Sequence, residues 1–288
     1  TWDTYRLDAR VADASRLTVL EGTLSAPRFG LSAQTYDRLA QDVDLVVHAA
    51  GSPDYQRPYE EQREETVFGL LGALQFCFAR HLKRICYVGS IIAHLYEEPA
   101  DFRRPVSWWY SGYSAGKWVA QQMLASLSAR GLPVQVCEAP FVLGSSTLGK
   151  DPGFKYANWR VFQLCKMLGF VWDGEVSPFV PVDCLADATV LNAMSDVALP
   201  RIRPVVSEGV RMSDVGRLTS CRVVSWEEFY AEVRHRAPPE LLRLLPTDLP
   251  ELIHKTAKPA IFPDDYDRSR IPAVDRLMKL YFSQKGLL

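Results

Sequence analysis

Apolar residues follow two rhythms over the first two thirds of the chain: short unbroken runs rich in β-branched side chains, and longer stretches where they return every three or four positions. The runs read as buried strands and the periodic stretches as amphipathic helices, and their alternation is the pattern of βαβ units. Strands are predicted over 17–24 (LTVLEGTL), 44–51 (DLVVHAAG), 84–91 (RICYVGSI), 133–140 (PVQVCEAP) and 179–183. Helices are predicted over 32–42, with Ser32 as N-cap, then over 59–81, over 111–130 with a stop at Gly131, and over 156–168 and 185–194. Residues 142–153 read as loop. Parallel strands joined by helices must be covered on both faces, so the pattern predicts a doubly wound α/β sheet.

The last third breaks this rhythm. Prolines at 238, 239, 246, 250, 259, 263 and 272 cut it into short helices, among them 226–236 and 273–284. The expected organisation is a sheet domain over 1–200 followed by a smaller, mostly helical subdomain over 201–288. The glycines at 69 and 72 fall inside a predicted helix, where packing is the expected role.

Composition narrows the function. With 33 basic and 34 acidic side chains the net charge is −1, which gives no general attraction to nucleic acid or an anionic membrane. No apolar run reaches the roughly 18 residues of a membrane span and no secretory signal opens the chain, so a cytoplasmic location is expected. The six cysteines (77, 86, 137, 165, 184 and 221) are scattered without metal-ligand spacing. They read as small core hydrophobes, and no metal site is expected.

One spacing carries chemistry. Tyr113-Ser-Ala-Gly-Lys117 puts a phenol and an ammonium on one helix face, four residues apart. A nearby positive charge favours phenolate, so Lys117 is expected to lower the Tyr113 pKa and make it a better proton donor to a developing alkoxide. Ser90, at the carboxyl end of a predicted strand, is the hydroxyl expected beside it, because ligands of doubly wound sheets bind at that edge. Twelve tyrosines give roughly 0.4 such pairs by chance, so the pair gains its weight from context. It opens a helix, 23 residues after a strand ending in Gly-Ser.

These residues, with GTLSAPRFGLS (22–32), DLVVHAAG (44–51), YVGS (87–90), GYSAGKWVAQQML (112–124), GLPVQV (131–136), LGSSTLG (143–149) and FVPVDCLADATV (179–190), resemble the extended short-chain dehydrogenase/reductases. The branch they are most similar to is the thioester reductases, terminal domains of nonribosomal peptide and polyketide synthases related to fatty acyl reductases. The resemblance implies a Rossmann-like fold and NADPH-dependent reductive release of an acyl or peptidyl thioester from a carrier-protein phosphopantetheine arm, as aldehyde or alcohol. It implies catalytic roles for Ser90, Tyr113 and Lys117. It also places the cofactor against these three, against His48, Ala49, Ala50 and Gly51, and against Pro140, Phe141 and Val142.

The resemblance also marks departures. The family's first strand and glycine-rich phosphate loop have no counterpart in these 288 residues, so a natural polypeptide extending N-terminally, with an upstream carrier domain, is expected. Thr23 stands where the family has Asp, Thr66 where it has Asn, and Glu138 where it has Arg. Two other readings stay open at this point: a redox-silent release or docking domain of the same fold, or another extended dehydrogenase such as a nucleotide-sugar epimerase or dehydratase.

Overall fold

A computed structural model describes residues 14–51, 57–95, 112–150, 157–176, 179–195, 201–204, 210–239, 269 and 271–288. In chain order the elements are α1 (Ala33–Asp42), β1 (Leu45–His48), α2 (Tyr59–Arg63), which runs through a π-helical turn (Glu64–Phe68) into α3 (Gly69–Phe78), then β2 (Arg84–Ser90), α4 (Gly112–Ser128), β3 (Val134–Ala139) and β4 (Phe141–Leu143). There follow α5 (Ala157–Leu168), β5 (Phe170–Trp172), β6 (Glu175–Val176), β7 (Phe179–Pro181), α6 (Val182–Met194), β8 (Arg201–Pro204), β9 (Val210–Arg211), α7 (Met212–Thr219), β10 (Arg222–Val224), α8 (Trp226–Arg236) and α9 (Val274–Lys285). They form two compact units, Thr1–Ala139 with Ala188–Pro204, and Pro140–Asp187 with Val205–Leu288.

The first unit is built on a parallel sheet in the order β1-β2-β3-β8. One face buries Ile85, Tyr87, Val134 and Val136 against Leu70, Ala73, Leu74 and Cys77 of α3 and Ala120 and Leu124 of α4. The other face is covered by the end of α6, where Thr189 and Asn192 meet Cys86 and Cys137. The doubly wound architecture expected from the alternating pattern is thus the observed one. All six cysteines are buried thiols.

Local signals set the helix ends. Ser32 accepts from the Thr35 N–H at 3.1 Å and Ser225 from the Glu228 N–H at 3.1 Å, each satisfying a donor that the first turn leaves open. Gly286, with φ of 65°, closes α9 in the left-handed conformation that glycine adopts without strain. The glycines at 69 and 72 do serve packing: a Cβ on Gly72 would strike the Leu24 carbonyl, and one on Gly69 would sit 3.4 Å from the Leu24 Cβ.

One predicted element is absent. Residues 17–24 form no strand: the segment has no ladder partner among the described residues, and Val19 is 94% exposed. A strand exists through its neighbour's hydrogen bonds, so an apolar, β-branched run alone does not make one.

The second unit holds three two-stranded pairs, β4 with β7 and β5 with β10 parallel, β6 with β9 antiparallel. Trp159 and Phe162 of α5 pack edge-on against Phe282 of α9, and Trp172 packs against Trp226 and Phe229 of α8. The loop after β4 is tied down by Asp183, whose carboxylate accepts from the Ser146 N–H and hydroxyl and from the Ser145 hydroxyl. The short helices expected across the proline-rich stretch 240–268 lie outside the described residues.

Candidate active site

The carboxyl ends of β1 and β2 and the first two turns of α4 bring four of the predicted residues together. Ser90 is the last residue of β2, and its hydroxyl accepts from the Ile92 N–H at 3.3 Å, which fixes the turn leaving the strand. Tyr113 stands in the first turn of α4 and hydrogen-bonds Ser90 side chain to side chain. Lys117, one turn on, is only 5% exposed and donates to the Val88 carbonyl at 3.0 Å. Its Nζ lies 5.8 Å from the Tyr113 ring centroid and 4.7 Å from that of Tyr87.

Burial governs the protonation of this group. It pushes the Lys117 ammonium down to about 8, because an ammonium loses water's solvation there. It pushes the Tyr113 phenol up to about 12, against the pull of the Ser90 hydrogen bond. The expectation that Lys117 lowers the Tyr113 pKa is therefore corrected: desolvation of the phenolate outweighs the influence of a lysine that sits over the ring. The same burial, with the Lys117 charge adding to it, takes His48 down to about 4, so its ring is neutral at pH 7.

His48 ends β1 and meets the Tyr87 ring edge-on at 5.5 Å. Ala49, Ala50 and Gly51 follow as an exposed stretch beyond the strand. Gly51 has φ of 148°, and a Cβ there would come 3.9 Å from the Lys117 Nζ. Gly51 also lines a cleft of about 330 Å³ with Thr23, Leu24, Ser25 and Glu65. Pro140, Phe141 and Val142 belong to the second unit, where the last two pair with Phe179 and Val180.

Two of the departures have structural partners. Thr66 lies in the π-helical turn, donates its hydroxyl to the Gln62 carbonyl at 3.0 Å and packs on Gly116 of α4. Glu138 is buried beside Gly89 on the neighbouring strand and accepts from the Gln121 amide at 3.0 Å. Gln121 and Tyr87 are the site neighbours that sequence reasoning missed. Gln121 continues the Tyr113–Lys117 spacing by four, and Tyr87 alternates with Ile85 and Gly89 toward α4, so both signals were present but weak.

A doubly wound parallel sheet with a serine, a tyrosine and a lysine gathered at its carboxyl edge defines a domain of the extended short-chain dehydrogenase/reductase type. A sequence profile of the NAD-binding family described as male sterility protein matches residues 1–189, and the chain belongs to that family. Among curated proteins it is similar to the nonribosomal peptide synthetase asaC of Aspergillus flavus, 27% identical over 187 residues, covering 60% of this chain and 18% of that protein. It is also similar to the non-canonical nonribosomal peptide synthetase FrzA of Cladobotryum sp, 24% identical over 266 residues, covering 81% of this chain and 25% of that protein. The chain thus spans a quarter or less of these relatives. The fold matches the terminal R domain from the myxalamid PKS-NRPS biosynthetic pathway, with a TM-score of 0.79 at 21% identity over 99% of this chain and 79% of that one.

The family binds a nicotinamide cofactor, and the residues present fit one end of it. A side-chain-free Gly51 leaves the approach to the Lys117 ammonium open, and the adjoining cleft continues from the same glycine.

Proposed function

We propose that this chain reduces an acyl or peptidyl thioester, carried on a carrier-protein phosphopantetheine arm, to an aldehyde or onward to an alcohol, with NADPH as donor. The observation that carries the reading is the hydrogen-bonded Ser90–Tyr113 pair with Lys117 one helical turn behind it. Relatives that are nonribosomal peptide synthetases support the carrier-bound substrate.

The cofactor, when bound, supplies hydride to the thioester carbonyl carbon. In this reading the neighbouring Ser90 and Tyr113 hydroxyls donate to the carbonyl oxygen and stabilise the negative charge that grows there. With its pKa near 12, Tyr113 keeps its proton at pH 7 and delivers it to the oxyanion, giving a hemithioacetal whose C–S bond then breaks to release the aldehyde and the carrier-arm thiol. Lys117, near 8, is mostly charged at pH 7 and favours the phenolate left behind. His48, Ala49, Ala50 and Gly51 border the cofactor in this reading. The neutral His48 adds no charge to repel the Lys117 ammonium.

The test is NADPH consumption with a carrier-bound acyl thioester, for the chain in its natural polypeptide and for Tyr113→Phe. Loss of the positioned acid lowers turnover by about 10²–10⁴-fold. Equal turnover in the two proteins removes Tyr113 as the acid and the reading with it.

A further inference from the structure

Among the described residues, the aromatic ring nearest Lys117 is the one that the Ser-Tyr-Lys arrangement does not include. Tyr87 lies in the middle of β2, and its face stands 4.7 Å from the Lys117 Nζ, against 5.8 Å for Tyr113. We propose that Tyr87 is a positioning residue whose ring face carries the Lys117 ammonium and holds it at the end of the sheet beside Tyr113. The proposal rests on the reading of Lys117 as the partner of the proton donor.

Three observations support it. First, the ring is locked: Tyr87 is 1% exposed, His48 abuts it edge-on from β1, and at Gly89 even a Cβ would sit 3.5 Å from the ring and 2.9 Å from the Gln121 amide. Second, the lysine's described polar anchor is a single neutral carbonyl, that of Val88 at 3.0 Å, so a buried ammonium gains from any further source of negative potential. A ring face supplies it, and more strongly in a desolvated site than at the surface. Third, burial pushes the Tyr87 phenol well above its ordinary range, so the ring is neutral and the attraction is that of its π face. Among the described residues, the titratable groups facing Lys117 are His48 from β1, Tyr87 from β2 and Tyr113 from its own helix. Glu138 on β3 is engaged by Gln121, one turn further along α4.

The test uses the full 288-residue chain with ¹³C at the lysine ε-carbons, the Lys117 signal being identified by its loss in Lys117→Met. A lysine above a ring face has its ε-protons moved upfield by the ring current. Tyr87→Phe keeps the face, so it keeps that upfield position and the Lys117 titration midpoint. Tyr87→Leu removes the face, returns the signal toward those of the other lysines and lowers the midpoint by about one pH unit, a tenfold change in the protonation equilibrium. Because a leucine in this core could disturb folding, a second series places phenylalanine, 4-fluorophenylalanine and 3,4,5-trifluorophenylalanine at position 87. These rings are nearly the same size but carry progressively less negative faces, and the midpoint is expected to step down along them. A flat series overturns the proposal, as does a Tyr87→Phe protein that loses the upfield shift. Because these readouts need neither cofactor nor substrate, they fail independently of the reductase reading, which stands or falls on the turnover of Tyr113→Phe.

Discussion

Gly116 of α4 is pressed against Thr66 of the π-helical turn, so closely that a Cβ on the glycine would run into the threonine hydroxyl. That hydroxyl is itself held by the Gln62 carbonyl at 3.0 Å and cannot swing aside freely. Because Gly116 sits between Tyr113 and Lys117, this contact sets the height of both side chains above the sheet. Gly116→Ala is expected to lower stability by about 1–3 kcal/mol through overpacking and to reduce turnover as well. Thr66→Ala removes the hydroxyl, the nearest clashing atom, though not its own Cβ at 2.9 Å, and should restore part of both losses. Thermal unfolding and turnover of the two single variants and the double variant check this, and equal melting temperatures for parent and Gly116→Ala would disprove it.

His48 gives a signature in acid. Its pKa is about 4 in the folded chain and about 6.5 when unfolded, so between those values the unfolded chain takes up a proton that the native one refuses. Stability is full above about pH 6.5 and falls as pH drops toward 4, by up to about 3 kcal/mol. In His48→Gln that slope should flatten. Urea midpoints measured from pH 4 to 7 give the answer, and parallel curves for the two proteins would exclude His48 as the source.

Lys117 acts in the opposite range. Folding lowers its pKa from 10.5 to about 8, so the buried ammonium costs stability below pH 8, and the cost is relieved as pH rises toward 10.5. Lys117→Met is therefore expected to be more stable than the parent at pH 7, by on the order of 1–3 kcal/mol, with the advantage gone near pH 10.5. The same substitution removes a charge acting on His48 and should raise the His48 titration, which NMR of the imidazole can follow. An advantage that persists unchanged at pH 10.5 would rule out this account.

In the second unit, Asp183 is the anchor of the loop after β4. Its carboxylate accepts from the Ser146 N–H at 3.0 and 3.1 Å, the Ser146 hydroxyl at 2.8 Å, the Ser145 hydroxyl at 3.2 Å and the Cys184 N–H at 3.1 Å. Charge-assisted bonds of this kind are the strong ones, and truncating the acceptor leaves several donors without it. Asp183→Ala is expected to cost about 2–4 kcal/mol and Asp183→Asn clearly less. Chemical denaturation ranks them, and amide exchange at Ser146 reports whether the loop has loosened.

Much of this protein follows from short-range order in the chain. The apolar runs 45–48, 84–90 and 134–139 became parallel strands; the last two are largely buried between covered faces, while 45–48 at the sheet edge leaves Val47 exposed. Ser32 and Ser225 capped the helices they precede, and Tyr113 and Lys117 shared a helix face, because caps and helical spacing involve only residues a few positions apart. The tertiary structure decided the rest. Residues 17–24 have the composition of a strand but no partner, and pairing is a property of two segments. The division into units draws 140–187 together with the last third of the chain, although the sequence rhythm there continues that of the sheet. The Tyr87 ring under Lys117 and the Gln121–Glu138 bond join residues far apart in sequence. Most of all, the protonation of Tyr113, Lys117 and His48 depends on how much water each group loses, and desolvation is set by every element packed around a side chain rather than by its neighbours along the chain.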